Sequence, residues 1–390
     1  MLCSVTNLAT LYSSLLDKSK EASPLLRPSL VKNLLIVGCG ILVKETVNLN
    51  KIKNQVGPLV ANNVTLPDSH YRRLTRFFDD PVAKRQLWKW LLVWLLGYIR
   101  RWDGRSMSLF LTLDATSWQW GQTKIQLLVL SLVYRGVSLP LCWVDLAKKG
   151  HSSQQERKRL LQMASKLYPL EGFCLLADRE YVGRNWLAFL DGLGMGFIIR
   201  LSRQDYKHEI SQSGKSYRSL LNRALRGRLV SQAVVIEERT YQFVATCHQD
   251  GPQSEDPLVL LLTNTGWAKQ KVLARYRIRW STECLFKHLK SNGFNLESVS
   301  FHNRQKIRLL VAIVVVLYVI CVAEGLKHFK RIGRKRYKNG VVTQGVSVFR
   351  NGYSVVANHL TTIELFGEWL VKALKQKVRV AKPKIYVNVQ

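Results

Sequence analysis

Acidic residues are scarce in this chain. Its 390 residues hold 26 Asp and Glu against 59 Lys and Arg, a formal charge of +33. A compact body with that excess repels itself and calls for a polyanion nearby. Nucleic acid is the expected polyanion, because neutralised phosphates release counterions. A ribosome-like protein or one bound to an anionic membrane are the alternatives at this level. Cysteine is also sparse. Cys3, Cys39, Cys142, Cys174, Cys247, Cys284 and Cys321 are scattered, and no pair has C-x-x-C spacing. That excludes the common zinc and redox motifs and suits a reducing cytoplasm, with most thiols acting as small apolar residues. Long apolar runs are missing too. The most apolar stretch, Leu309–Ala323, falls short of the ~18–20 residues of a membrane span and reads as a buried core helix. Met1–Leu16 has no basic leader followed by an apolar run, so no signal peptide is expected. Gly38-Cys39-Gly40 is followed by no G-K-[ST], so a turn or helix break is expected there and not a phosphate loop. There is no internal repeat and no long low-complexity segment.

What is present reads as globular, with 47% hydrophobic and 10% aromatic residues. The expected fold class is α/β: a mixed sheet flanked by helices, with an inserted β-rich subdomain and a helical N-terminal region. Residues 1–105 have apolar positions at helical spacing around Val31–Val43 and Leu87–Ile99 and form a helical N-terminal DNA-binding region. Between those segments, Pro67 with Asp68 or Ser69 looks like a helix start. Arg72, Arg73 and Arg76 follow, as a recognition helix for DNA or as an ordinary solvated face. Trp88, Trp90 and Trp94 fall in one apolar helical segment and read as core.

From 106 the period changes to two. Residues 106–202 form the first part of the core, with strands at Leu109–Leu113, Ile125–Tyr134 and Val137–Val144. A helix at Gln154–Leu167, a strand at Phe173–Ala177, a helix at Asn185–Leu193 and a strand at Gly196–Leu201 follow. This β-β-β-α-β-α-β order describes a mixed sheet with helices on its faces. Residues 203–256 are polar and strand-like at Leu229–Glu237 and Thr240–Cys247, and form the inserted β-rich subdomain. Residues 257–325 resume the core with a strand at Leu258–Thr263 and a long helix from Ala268 to Ser291. Residues 326–390 form a basic C-terminal tail, including the run from Arg331 to Lys338.

Asp114 follows directly on one apolar strand and Asp178 on another. A carboxylate there is costly unless solvated, paired or bound to a cation, and two in one sheet can share a divalent ion. A strand-end Asp also starts ordinary turns, and Asp103 and Asp145 are placed similarly. Asp145 ends a strand and is the rival for the first position. On the long helix, Tyr276, Arg279, Glu283 and Lys290 lie along one face. Glu283 can complete a metal site while Arg279 and Lys290 hold phosphates. Exposed i,i+4 ion pairs, Arg279–Glu283 and Glu283–Lys287, satisfy the same spacing. His151 and His208 have no partner at a metal-ligand spacing.

The spacing Y-x2-R-x3-E-x6-K of those four residues resembles the signature of the bacterial insertion-sequence-four transposase family. Asp178-Arg179-Glu180-Tyr181, Leu113-Asp114-Ala115-Thr116 and Ser69-His70-Tyr71-Arg72-Arg73-Leu74 are similar to that family's neighbouring segments. The resemblance covers roughly residues 60–360. It implies a ribonuclease-H-like core, the mixed sheet read above, bearing a D-D-E triad of Asp114, Asp178 and Glu283, which hold metal, with Tyr276, Arg279 and Lys290 as DNA-contacting companions. It implies two Mg²⁺ ions per site, replaceable by Mn²⁺, that activate the attacking oxygen and stabilise the leaving one. Cut-and-paste movement through a hairpin is implied, with a flipped base held on an aromatic ring. Pro257–Leu262 has no aromatic for that task; Phe243, Trp267 and Trp280 are the nearby candidates. The implied partners are double-stranded DNA, as transposon ends and target, and a second copy of the chain. No membrane is implied, and the implied location is the bacterial cytoplasm, at the nucleoid. A silent DNA-binding repressor of the same fold and a ribonuclease-H-like nuclease without strand transfer are the competing readings.

Overall fold

Apolar alternation and turn chemistry set up the central sheet. The computed structural model describes residues 27–102, 107–148, 150–167, 169–247, 257–329, 333–336, 342–376 and 378. Cys3, Asp103, 248–256 and much of the basic run after 330 lie outside them. β1 (Met107–Trp120), β2 (Thr123–Tyr134) and β3 (Val137–Asp145) form an antiparallel meander. Arg135 and Gly136, with φ of 51° and 79°, make the β2–β3 turn; two left-handed residues match the twist of a two-residue hairpin. β4 (Cys174–Ala177) pairs parallel with β1, and β5 (Gly196–Arg200) parallel with β4. The crossovers are α5 (Gln154–Leu167) and α6 (Arg184–Gly192); among the described residues four α-helices precede β1 in the chain.

The inserted segment differs from expectation in two respects. Its strands, β6 (Val230–Ile236) and β7 (Arg239–Cys247), make no sheet of their own. β7 pairs with β8 (Leu258–Thr263), and β8 with β5, giving one eight-stranded sheet in the order β3-β2-β1-β4-β5-β8-β7-β6. β8 is buried along its whole length, so β7 covers an edge that would otherwise expose unpaired backbone. Two short helices, α7 (Lys207–Gln212) and α8 (Tyr217–Leu225), precede these strands. The polar composition of 203–228 hid them.

The N-terminal helices are α1 (Pro28–Lys44), α2 (Leu49–Leu59), α3 (Pro67–Asp79) and α4 (Trp88–Arg100). Gly38-Cys39-Gly40 is a buried part of the α1 interior, where a turn or break was expected. A Cβ on Gly40 would stand 2.4 Å from Ile52 Cγ2, so the glycine lets α2 approach. After β8 the chain runs through α9 (Lys269–Tyr276), α10 (Trp280–Lys290) and α11 (Arg304–Lys327). α11 is long and apolar enough to cross a membrane by length and composition, yet its most apolar window is wholly buried. It packs against α1, α4 and β3 as the central core helix. The segment expected as a basic tail contains α12 (Val348–Ala357) and α13 (Ile363–Lys375). Their apolar faces, including Phe349, Tyr353, Ile363 and Phe366, are buried in the common core. Of the basic run only residues 333–336 are described; Arg334–Arg336 pairs with Val342–Gln344 as a short hairpin.

Candidate active site

Strand pairing places the two aspartates. Leu113 of β1 is opposite Ala177 of β4, so the next residue on each chain is an aspartate at the same level of the sheet. Side chains alternate between faces. Phe110, Cys174 and Leu176 pack with Val272 and Tyr276 of α9, whereas Leu111, Leu113, Leu175 and Ala177 join the larger core on the other face. Asp114 and Asp178 therefore share the α9 face. β1 does not end at Asp114, as the apolar run suggested. It continues to Trp120 along β2, while β4 stops at Ala177, and the aspartates line the gap this opens.

Glu283 is brought over that gap by a buried hydroxyl network. Thr282 Oγ1 donates to Thr112 Oγ1 at 2.7 Å, and Ser138 Oγ lies 2.6 Å from Ser281 Oγ and 3.1 Å from Thr282 Oγ1. These bonds fasten the start of α10 to β1 and β3. The expected single helix from 268 to 291 is broken by one 3-10 turn at Arg277–Arg279. In a 3-10 turn residues three apart eclipse. Arg279 accordingly lies over the Tyr276 ring, with its guanidinium carbon 5.9 Å from the centroid.

Arg279 is the centre of the site. Its Nη1 is 3.1 Å from Asp114 Oδ2 and its Nη2 is 2.6 Å from Glu283 Oε1. Burial of the guanidinium opposes its charge, but Tyr276, Asp178, Asp114 and Glu283 together outweigh that and raise its pKa. Asp114 behaves otherwise. Burial pushes it up, Arg279 and the Ala115 N–H pull it down, and Asp178 and Glu180 push it up again, leaving it at about 6. Desolvation thus wins over the ion pair. Burial also raises the Tyr276 phenol. Asp178 Oδ1 accepts from the Arg179 N–H at 2.9 Å, which fixes its rotamer at the strand end.

Two aspartates and a glutamate are the hard oxygen donors that Mg²⁺ takes, and the acids already converge on one positive group. Among the described residues no group of three or more His, Cys, Asp or Glu is drawn close enough to hold a metal ion. The donor chemistry fits a divalent ion, while Arg279 occupies the space between Asp114 and Glu283.

Other expected residues fall elsewhere. Lys290 Nζ donates to the Ser117 carbonyl at 2.9 Å and pairs with Glu297 at 3.1 Å, bracing α10 against β1 beyond the triad. On α3, Arg72 and Arg76 are exposed, but Arg73 turns inward and donates to Asn33 Oδ1 at 2.8 Å. Asp145 pairs with Arg304 at 2.5 Å on β3, two strands from β1, and takes no part in the site. His151, read as an ordinary polar residue, pairs with Glu180 at 2.7 Å. Phe243 is fully buried. Trp267 lies against Phe110 with Lys271 Nζ 4.1 Å from its centroid. Trp280 is 57% exposed. The anchors Thr112, Ser138 and Thr282 were missed; buried hydroxyls leave no spacing signal, although Ser281-Thr282 beside Glu283 is a polar pair on an otherwise apolar helix face.

A family model described as a transposase DDE domain matches residues 103–320, more than half of the chain. No curated protein sequence matches. Among solved structures, a cryo-EM structure of a piggyBac transposase synaptic complex with hairpin DNA is similar, with a TM-score of 0.48 and 11% identity, over 90% of this chain and 74% of that one. With strands, helices and acids ordered as above inside the matched segment, the chain belongs to the family of DDE-domain transposases.

Proposed function

We propose that the protein cleaves transposon ends and joins them to target DNA, within the Y-R-E-K group of the insertion-sequence-four family. The observation that carries this reading is the level placement of Asp114 and Asp178 on one face, with Glu283 fastened over them and joined to Asp114 through Arg279. Divalent ions, Mg²⁺ or Mn²⁺ and two per site, would be held by Asp114, Asp178 and Glu283, and would activate the attacking oxygen and neutralise charge at the leaving one. The chain's own residues do the positioning. Arg279 exchanges its two carboxylates for a phosphate of the entering DNA; a guanidinium grips both anions by the same forked geometry. Tyr276 packs under Arg279 and limits its swing. Thr282 and Ser138 hold Glu283 at a fixed height. Arg72 and Arg76 face outward on α3 and take backbone phosphates away from the reaction, and Lys290 does so at the far end of α10 once it leaves Glu297.

Movement by cut-and-paste through a hairpin needs an aromatic platform for an unstacked base. Phe243 is locked in the core, and Trp280, exposed and next to Arg279, is the aromatic suited to it. A homodimer, each subunit acting on one end at the bacterial nucleoid, follows from the same reading. The test is incubation of the protein with labelled transposon-end DNA and Mg²⁺ or Mn²⁺, beside Glu283→Gln. Cleavage and joining by the wild type alone is the expected result. Cleavage surviving in Glu283→Gln removes Glu283 from the mechanism. Binding without cleavage by the wild type replaces the reading with that of a silent repressor, and cleavage without joining replaces it with a nuclease.

A further inference from the structure

We infer that α8 carries a second DNA-contacting face, which takes duplex phosphates remote from the scissile bond. The inference rests on the transposase reading and extends it to a part of the molecule outside the triad. Ser216, Arg218, Ser219, Asn222, Arg223 and Arg226 line one shallow recess along α8. The set holds three guanidiniums, two hydroxyls and an amide, and no carboxylate or apolar group. Several arginines elsewhere in this chain are tied down: Arg184 to Glu209, Arg239 to Asp191, Arg304 to Asp145 and Arg350 to Glu45. Among the described residues none of Arg218, Arg223 and Arg226 has a carboxylate partner. Lys215 and Arg228, both exposed, flank them in sequence. Guanidiniums left unpaired on a structured helix repel one another, and a run of phosphates relieves that repulsion.

The helix is rigid enough to present them. Ser216 caps its N-terminus through the Ser219 N–H. Tyr217, Leu220 and Ala224 are buried, and the Tyr217 ring lies 6.1 Å from Phe243 of β7. With those apolar groups turned into the core, Leu225 is the large apolar side chain that α8 leaves exposed, and a single leucine makes no stripe to lay into a lipid surface, so DNA is favoured over an anionic membrane.

Its position sets which phosphates it reaches. Leu113, Ala177, Ile199, Leu262 and Phe243 form one row across β1, β4, β5, β8 and β7. That row is on the face opposite the aspartates. At about 4.8 Å per strand the row spans ~19 Å. α8 therefore sits on the other face and well along the sheet, and serves DNA several base pairs from the scissile step or the second duplex of an assembled complex.

The test is fluorescence anisotropy of the full chain with a random duplex of about 40 base pairs, over roughly 0.05 to 0.3 M KCl. The variant is Arg218→Gln with Arg223→Gln and Arg226→Gln, controlled by the matching triple Lys variant. The Gln triple should lower the slope of log affinity against log salt by about 2 to 3, near 0.9 per phosphate lost, and weaken binding roughly tenfold or more at low salt. The Lys triple should keep most of the slope. Should the Gln triple fail to fold, Arg226→Gln alone, at the end of α8, should lower the slope by about 1. An unchanged slope in a folded variant overturns the inference, and so does loss of binding to anionic vesicles with an unchanged DNA slope. If end cleavage by the wild type persists in either case, the transposase reading stands without the α8 face. A wild type that binds no duplex overturns both.

Discussion

Two places in this molecule set an aspartate on a sheet strand against an arginine from a later helical segment. At Asp145 the account closes: one carboxylate, 8% exposed, meets Arg304 at 2.5 Å and accepts a second bond from the Ala147 N–H. At Asp114 one arginine serves two acids and stands near a third, and burial still holds Asp114 up at about 6. The first arrangement is what a fold uses to fasten the start of α11 to β3. The second has negative charge to spare and an acid shifted by burial, the pattern that marks functional sites.

The comparison breaks most sharply under substitution. Glu283→Gln or Asp178→Asn should cut DNA cleavage by roughly 10³-fold or more, the scale of losing a charge at a reacting centre, with little change in melting. Asp145→Asn should do the reverse. It should lose about 1–3 kcal/mol of stability through the stranded Arg304 and keep cleavage within a few-fold, read by gel assay and thermal melt. Next in size is Thr282→Val, which removes the bond to Thr112 without changing shape. A slip of Glu283 by about 1 Å should cost roughly 10- to 100-fold in turnover; undiminished cleavage would detach the hydroxyl network from function. Arg279→Gln should then raise Mn²⁺ affinity in the absence of DNA by about tenfold, because the competing cation is gone. Calorimetry showing weaker Mn²⁺ binding instead would make Arg279 an organiser of the acids.

The smallest effect is in pH. Asp114 has its folded pKa raised to about 6 from 3.8. The folded protein therefore holds a proton that the unfolded chain has released. The resulting stability is fully present below about pH 4 and is lost as pH rises through 6. Melts of metal-free protein across that window should show the decline, and Asp114→Asn should flatten it. Asp145→Asn should leave it in place.

Much of this was legible beforehand, for physical reasons. β2, α5 and β8 follow from apolar periodicity and a tight turn, and the column Tyr276, Arg279, Glu283 follows from helical spacing. The rest depended on partners distant in sequence. Nothing local to β6 and β7 says whose edge they cover. Nothing in Val348–Lys375 except the spacing of Phe349, Tyr353, Ile363 and Phe366 distinguishes a core element from a basic tail. Asp114 and Asp145 looked alike because each was judged by the strand before it. What separates them is whether the neighbouring strand continues, which only the sheet order β3-β2-β1-β4 decides.

The pairing of Leu113 with Ala177 has a consequence for how such a chain can vary over generations. The loops that link β1, β2, β3, α5 and β4 can lengthen or shorten without touching the reaction, because the hydrogen-bond ladder and not the loops sets the alignment. A single residue inserted or deleted inside Phe110–Leu113 is different. It turns one acid toward the oily interior and leaves its companion alone. Heritable change in length should therefore be plentiful in the loops and silent in that short ladder, where the protein counts residues as strictly as a reading frame does.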